Sequence, residues 1–243
     1  MLIKYRDIIE LGDHRLICGS CTDPEIIKKL VGDRKINLIV TDPPYGVDYV
    51  ESKKEIKNSK FEHKAIANDQ IQSEQSYQSF TQLWLDAVKP FLNPKNSFYI
   101  FNSDRMLFAL KNALDVSSFK FCQLLIWIKN HAVLGRLDYL PQHELIAYGW
   151  QGTHKFFKSK DKSVLSFPKP QKSSLHPTMK PISLIRHLIL NSSQIGDYVF
   201  DGFGGSGTTL LACEQTKRKC LMVELDPKYC EVIIDRYQRI NKP

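Results

Sequence analysis

An acid, two prolines and an aromatic residue directly follow an apolar run. The run Ile36–Val40 is β-branched, which predicts a buried strand, and Asp42, Pro43, Pro44 and Tyr45 come just after it. A carboxylate accepts hydrogen bonds, and prolines fix the direction of backbone carbonyls without adding N–H donors. The motif can therefore present acceptors to a polar group. Taken alone, however, it favours a structural role, with Asp42 as a helix N-cap and Tyr45 packed on the sheet.

A glycine-rich loop near the other end of the sequence is a second candidate site. The stretch 200–209, FDGFGGSGTT, follows a predicted strand and opens a predicted helix, and Gly202, Gly204 and Gly207 satisfy the pattern G-x-G-x-x-G. Glu224 ends the next predicted strand. Close backbone approach, a helix N-terminus and a carboxylate for ribose hydroxyls suit a nucleoside-bearing cofactor. The alternative is a purely structural turn from strand to helix.

The residues of the glycine loop and its position in the sequence narrow the choice of cofactor. The loop is not a P-loop, because Thr208 stands where the phosphate-binding lysine is required. The glycine pattern alone fits NAD and S-adenosylmethionine equally. NAD-binding domains usually begin with this loop, whereas here it follows the Asp42 motif, which favours S-adenosylmethionine. An NAD-dependent oxidoreductase is the alternative.

Two of the six cysteines form a C-x-x-C pair, Cys18 and Cys21, between a predicted strand and a predicted helix. A thioredoxin-like pair would occupy such a place, and zinc would need a second pair. The other cysteines are far apart in the sequence, so ordinary reduced thiols are favoured over a redox or metal site.

The elements that must position these motifs alternate along the chain. Predicted strands cover 14–20, 36–40, 97–101, 121–128, 144–150, 197–201 and 220–224, and predicted helices cover 23–31, 76–92, 104–114, 181–191, 207–216 and 227–240. Residues 50–64 are charged and unpatterned, which predicts a mobile loop. Alternating strands and helices predict an α/β fold with a mostly parallel sheet covered on both faces.

Composition bounds the class of protein. The 243 residues are 42% hydrophobic and 25% charged, as expected for one globular domain rather than a disordered chain. No stretch approaches the roughly 18 apolar residues of a membrane span, and the N-terminus has no signal-peptide pattern, which predicts a cytoplasmic protein. The net charge of +8 weakly favours a polyanionic partner.

Taken together, the motifs resemble the amino-group DNA methyltransferases, in the order called the β class, where the catalytic motif precedes the cofactor motif. The match covers nearly the whole chain. The segments that carry it are TDPPYG (41–46), LLIWIKN (124–130), QHELIAYG (142–149), HPTMKP (176–181), DGFGGSGTT (201–209) and MVELDPKY (222–229). The resemblance implies a single Rossmann-like methyltransferase domain over 1–243, with a mobile loop at about 47–74 and a short target-recognition insert at about 151–176.

The resemblance also implies S-adenosylmethionine as the methyl donor, S-adenosylhomocysteine as the product and no metal, since the donor brings its own electrophile. The residues it assigns to cofactor binding are Ser20, Cys21, Asp23, Asp42, Lys180, Asp201, Phe203, Gly204, Gly205, Ser206, Gly207, Thr208, Thr209 and Glu224. Among them, Lys180 is expected near the carboxylate end of the cofactor and Glu224 on the ribose.

Two positions depart from the pattern of that family. Gly202 replaces a usual proline, which we interpret as a loosened turn. After the first strand the family commonly has G-D-C, whose aspartate reaches the cofactor adenine, whereas this chain has Gly19, Ser20 and Cys21. Ser20 can still form a hydrogen bond, and Asp23 is an alternative partner for the adenine.

The family's chemistry gives the Asp42 motif a role. An exocyclic base amine is a poor nucleophile, because its lone pair is delocalised into the ring. Acceptors aimed at its N–H bonds favour sp³ geometry and stabilise the developing positive charge. The Asp42 carboxylate and a backbone carbonyl, that of Pro43, are expected to be these acceptors in the rigid Pro43–Pro44 turn, and the Tyr45 ring can stack on a base flipped out of the duplex.

Two basic segments are candidates for DNA contact. The first is the insert at about 151–176, which carries lysines interleaved with Phe156, Phe157 and Phe167. The second is the lysine-rich loop that follows the Asp42 motif. The lysines assigned to DNA are Lys53, Lys54, Lys57, Lys155, Lys158, Lys160 and Lys162. A solvated loop is the alternative for each segment. Double-stranded DNA is the expected partner; a second copy of the chain and a cognate restriction enzyme stay open, and no membrane partner is expected.

The resemblance favours adenine N6 as the methylated atom, because cytosine-N4 members more often carry serine in place of the aspartate, and this chain has Asp42. The alternatives are a cytosine-N4 enzyme, an RNA or small-molecule methyltransferase, and a catalytically silent DNA-binding protein. The recognition sequence is not readable from the chain.

Overall fold

The computed structural model describes residues 2–44, 73–132, 138–158, 160–168 and 179–240. Its strands are β1 (Ile8–Leu11), β2 (His14–Cys18), β3 (Ile36–Thr41), β4 (Leu92–Asn102), β5 (Lys120–Ile128), β6 (His143–Trp150), β7 (Val164–Ser166), β8 (Tyr198–Asp201) and β9 (Lys219–Glu224). Its α-helices are α1 (Pro24–Val31), α2 (Glu74–Val88), α3 (Leu107–Val116), α4 (Ile182–Ser192), α5 (Thr208–Thr216) and α6 (Pro227–Ile240).

The described strands form one sheet in the order β1-β2-β9-β8-β3-β4-β6-β5-β7. Neighbours from β2 to β4 are all parallel, whereas β1 and β6 run antiparallel to their neighbours. The predicted α/β class with a mostly parallel sheet is therefore confirmed. Strand β9 pairs with β2, with Cys18 opposite Glu224, so the two ends of the chain share one sheet.

Two hydrophobic layers cover the sheet, because buried side chains of each strand alternate between its faces. Leu38 and Val40 of β3 pack in a cluster with residues of α4, α5 and α6. Ile39 packs in a second cluster with residues of α1, α2 and α3, and Ile36 joins it because the register of β3 shifts between Ile36 and Leu38. The central strands are thus buried on both faces, as their near-continuous apolar sequences predict.

Two strands were not predicted. Strand β1 pairs with β2 through a hairpin at Gly12, whose φ of +58° suits a tight turn, and this Gly-Asp signal was readable in the sequence. Strand β7 lies inside the segment that we interpreted as an insert, and pairs parallel to β5, with Leu165 opposite Trp127. The insert is therefore partly built into the edge of the sheet.

The topology brings the ends of several strands to one edge. Because β2, β9, β8, β3 and β4 are parallel, their C-terminal ends lie side by side. Strand β6 is antiparallel to β4, with Leu145 opposite Asn102, so the beginning of β6 lies at this same edge. Ligands of open α/β sheets bind at such an edge. None of the helices among the described residues is long and apolar enough to cross a membrane.

Candidate active site

One cleft at this edge collects most of the residues that the sequence singled out. The predicted cofactor residues that line it are Ser20, Cys21, Asp42, Lys180, Asp201, Phe203, Gly204, Gly205, Ser206, Thr208, Thr209 and Glu224. Pro43 and Pro44 line it as well. The Asp42 motif and the glycine loop therefore face one space, although Asp42 and Asp201 are 159 positions apart in the sequence.

Two predicted cofactor residues do not line the cleft. Asp23 caps α1, where its carboxylate accepts a hydrogen bond from the backbone N–H of Glu25 at 2.9 Å. Gly207 is the N-cap of α5 with a φ of +79°, and a Cβ there would lie 3.0 Å from Ile233. These two residues shape the local backbone, and a contact from Asp23 to the adenine stays a prediction.

Hydrogen bonds hold the glycine loop against β3. The hydroxyl of Thr41 donates to Asp201 Oδ1 at 2.8 Å and accepts from the N–H of Gly202 at 3.1 Å. The N–H of Phe203 also donates to Asp201 Oδ1, at 3.1 Å. Burial raises the pKa of the Asp201 carboxyl, and hydrogen bonds from Thr209 and Thr41 oppose that rise. Thr41 thus connects the strand that carries Asp42 to the start of the loop.

The presence of glycine at position 202 has a steric cause that the sequence did not reveal. A Cβ at this position would lie 2.6 Å from Cys21 Sγ, far inside van der Waals contact. Cys21 is buried, so its sulfur has little room to move away. Our interpretation of Gly202 as a loosened turn is therefore incomplete: the missing side chain makes room for Cys21 beneath the loop.

Glu224 lies at the end of β9 with both oxygens directed at backbone donors. Its carboxylate accepts from the N–H of Gly205 at 2.6 Å and of Asp226 at 2.9 Å. Burial raises the pKa of Glu224 to about 7, although both of these hydrogen bonds favour the charged form. Ser20, at the end of β2, is turned toward Thr22, whose hydroxyl lies 2.8 Å from its own.

Asp42 is held on one side only. Lys180, directly before α4, donates from Nζ to Asp42 Oδ2 at 2.6 Å. The second oxygen, Oδ1, is buried and has no hydrogen-bond partner within the described residues. The Asp42 side chain as a whole retains 27% exposure and lines the cleft. Burial raises the pKa of Asp42, and Lys180 partly offsets the rise.

The sequence did not point to the residues behind Lys180. Its ammonium also lies 2.9 Å from Glu144 Oε2 at the start of β6, and 5.0 Å from the centre of the Phe101 ring. Lys129, just after β5, lies 2.8 Å from Glu144 Oε1. Glu144 and Lys129 lie in two segments that carry the family resemblance, but the sequence analysis assigned no role to either, because only the antiparallel pairing of β6 brings them to this edge.

The candidate DNA residues divide between described and undescribed parts of the chain. Lys155, Lys158, Lys160 and Lys162 are all exposed. Tyr45, Lys53, Lys54 and Lys57, with most of the loop predicted at about 47–74, lie outside the described residues.

Contacts to α4 hold the described part of the insert in place. Asp161 accepts from Asn191 Nδ2 at 2.6 Å and lies 2.6 Å from His187 Nε2. The N–H of Phe157 donates to the carbonyl of Asn191 at 2.8 Å, and the Phe167 ring lies 5.4 Å from the imidazole of His187. The single acidic residue in this basic segment therefore serves as its anchor, which leaves the lysines directed outward.

Comparison with known proteins shows which family has a similar sequence. The sequence model of the family N6_N4_Mtase, described as DNA methylase, matches residues 36–235. The chain is 26% identical over 251 residues to the type II methyltransferase M.HpaI of Haemophilus parainfluenzae, in an alignment that covers 92% of this chain and 74% of that protein.

Solved structures show the same fold. The crystal structure of an M1.HpyAVI–SAM complex superimposes with a TM-score of 0.67 at 25% identity, covering 91% of this chain and 98% of the other. The PvuII DNA methyltransferase, described as cytosine-N4-specific, superimposes with a TM-score of 0.68 at 18% identity, covering 93% of this chain and 91% of the other. At that lower identity the likeness concerns the fold alone.

Proposed function

The chain belongs to the DNA methylase family of N6 and N4 amino-methyltransferases, whose sequence model spans residues 36–235, and on this premise we propose that it transfers a methyl group from S-adenosylmethionine to the N6 amine of a flipped adenine in double-stranded DNA. The observation that carries the proposal is the Asp42 carboxylate. One oxygen is held by Lys180, and the other is a buried acceptor without a partner within the described residues, beside the cleft that the glycine loop lines.

The cleft has the groups that a nucleoside-bearing methyl donor requires. Glu224 lies at the end of β9, where its carboxylate can accept hydrogen bonds from ribose hydroxyls. The backbone of the glycine loop can approach the cofactor closely. Cys21 and Phe203 offer apolar contact to the adenine ring. When bound, S-adenosylmethionine supplies an electrophilic methyl group, so the chain itself needs no nucleophile.

The task of the protein is then to make the amine reactive. Asp42 Oδ1 accepts a hydrogen bond from one N–H of the amine, and the carbonyl of Pro43 accepts a hydrogen bond from the other. These bonds draw the nitrogen toward sp³ geometry and stabilise the positive charge that grows on it as the methyl group is transferred. Lys180 fixes the other carboxylate oxygen, so the acceptor is oriented before the base arrives. The base must leave the duplex to reach this site, at a cost of a few kcal/mol.

The product identifies the base. We expect duplex DNA incubated with the protein and S-adenosylmethionine, then digested to nucleosides, to yield N6-methyladenine in mass spectrometry. Both exocyclic amines fit the same acceptors, and Asp42 in place of serine favours adenine through the family resemblance. N4-methylcytosine as the main product would overturn the base assignment and keep the mechanism. Methylation of RNA but not DNA would overturn the substrate class.

We further propose the segment at about 151–176 as the target-recognition insert. Neutralising Lys155, Lys158 and Lys160 with glutamine should weaken DNA binding regardless of sequence, because exposed lysines contact phosphates rather than base edges. Each lost contact should reduce the slope of log affinity against log salt concentration by about 1. The measurement is fluorescence anisotropy with a labelled duplex over a salt series.

The control for this triple variant replaces Lys4 and Lys28 with glutamine. Both are exposed and lie near β1 and α1, at the opposite end of the sheet from β7. Their replacement should change the salt slope by less. Equal slopes for the triple variant and the unaltered protein would return the insert to the status of a solvated loop.

A further inference from the structure

A chain of alternating charges runs from Asp42 and Lys180, which line the cleft, to Glu144 and Lys129, which do not. Lys180 bridges Asp42 Oδ2 and Glu144 Oε2, and Lys129 holds Glu144 Oε1. Two carboxylates face two ammonium groups, which makes the set neutral overall. Both lysines are buried, with 7% and 6% exposure, so solvent screens these contacts weakly. Glu144 does not line the cleft.

Resting on the proposed function, we propose that Glu144 is a positioning residue for methyl transfer: it forms a second ion pair with Lys180, which divides the charge of the ammonium between two carboxylates and so preserves the strength of Asp42 as an acceptor. Lys129, which binds the far oxygen of Glu144, holds this divider in place.

The geometry of the shared ammonium explains this role of Glu144. A lysine at 2.6 Å from a lone carboxylate would neutralise much of its charge, and a neutralised acceptor stabilises a developing cation poorly. Because Glu144 lies only 2.9 Å from the same Nζ, the field of Lys180 is divided. Asp42 keeps a fixed orientation from Lys180 and retains more of its negative potential at Oδ1.

The charges that face Asp42 agree with this arrangement. Burial raises the pKa of Asp42, the Lys180 ammonium lowers it, and the Glu144 and Asp201 carboxylates raise it. Burial raises the pKa of the Tyr77 hydroxyl on α2, and the negative charge of Asp42 also raises it. Glu144 itself keeps a pKa below its usual range: burial would raise it, but Lys180 and the ammonium behind it outweigh burial. Glu144 is thus a permanent negative charge next to a carboxylate that titrates.

The test is Glu144→Gln, which keeps the shape and removes the charge. Asp42 should then hold its proton less strongly, because a repelling carboxylate is gone. The acid limb of the pH profile of kcat should therefore move to lower pH, by about one unit, and kcat on its plateau should fall about tenfold. The affinity for S-adenosylmethionine should stay within about twofold, since Glu144 does not line the cleft.

A second variant should shift the acid limb of the pH profile in the opposite direction. Lys129→Met leaves the charge of Glu144 without its second partner, so Asp42 should hold its proton more strongly and the acid limb should move to higher pH. Glu144→Asp, which retains the charge, should restore part of kcat. The control is Glu10→Gln, an exposed glutamate on β1, which should leave the profile unchanged.

Circular dichroism and cofactor binding verify that each variant is folded. If Glu144→Gln and Lys129→Met both leave the acid limb and kcat unchanged while Asp42→Ala is inactive, the inference about Glu144 is wrong and the proposed function stands. If Asp42→Ala itself retains activity, the mechanism proposed at Asp42 fails and the inference about Glu144 fails with it, whereas the proposed function is tested separately by the methylated product.

Discussion

Replacing Asp42 with alanine is expected to lower kcat by about a hundredfold to a thousandfold while the protein remains folded and still binds S-adenosylmethionine. The change removes the acceptor that is used only as charge develops on the amine, so the loss should appear in kcat rather than in cofactor affinity. Single-turnover methylation of a duplex, followed by nucleoside mass spectrometry, measures the chemical step directly.

The fold should tolerate this change because Lys180 retains a partner. Its ammonium lies 2.9 Å from Glu144, so alanine at position 42 does not leave a buried cation without a counter-charge. Asp42→Asn is a stricter version, since the amide preserves the shape and loses the charge. Thermal melting should show only a small change for either variant.

The matched control is Asp86→Asn, which alters an exposed aspartate on α2 outside the cleft. It should leave kcat unchanged. Full activity in Asp42→Ala would show that the carboxylate is not the acceptor, and the proposed mechanism would be abandoned. Equal losses of activity and of cofactor binding would instead mean that Asp42 acts through cofactor binding, the other role that the family resemblance assigns to it.

The sequence was informative where chemistry and local structure coincide. Asp42 and the glycine loop each follow an apolar strand at once, so the side of the sheet on which they lie is fixed by the strand before them. Glu224 ends β9 for the same reason. Parallel strands bring such ends to one edge, which is why these residues, far apart in the chain, line one cleft.

The missed residues depend on pairing that no local pattern encodes. Glu144 lies at the beginning of β6 rather than at its end, and only the antiparallel register opposite β4 brings it beside Lys180. Likewise β7 is three residues within a lysine-rich segment, too short to produce a periodic signal, and it is stabilised by pairing with β5. Asp23 shows the converse, since its local role as a helix cap accounts for it without the cleft.

Replacing Glu224 with alanine is expected to weaken S-adenosylmethionine binding by about tenfold to a hundredfold, because hydrogen bonds from ribose hydroxyls to a charged acceptor are lost. Isothermal titration calorimetry measures this loss. The fold should persist, although the N–H groups of Gly205 and Asp226 lose their common partner. Glu231→Gln, an exposed change on α6, is the control and should leave the affinity unaltered.

The same carboxylate predicts a pH dependence. Burial raises the pKa of Glu224 to about 7, so the charged form that accepts two hydroxyls predominates above that pH and is lost as the pH falls through it. Affinity should therefore decrease from pH 8 to pH 6, by at most about tenfold per pH unit for one titrating group. In Glu224→Ala this dependence should disappear. A wild-type affinity that does not change over this range, together with an unchanged affinity in Glu224→Ala, would mean that the ribose is not held at the end of β9.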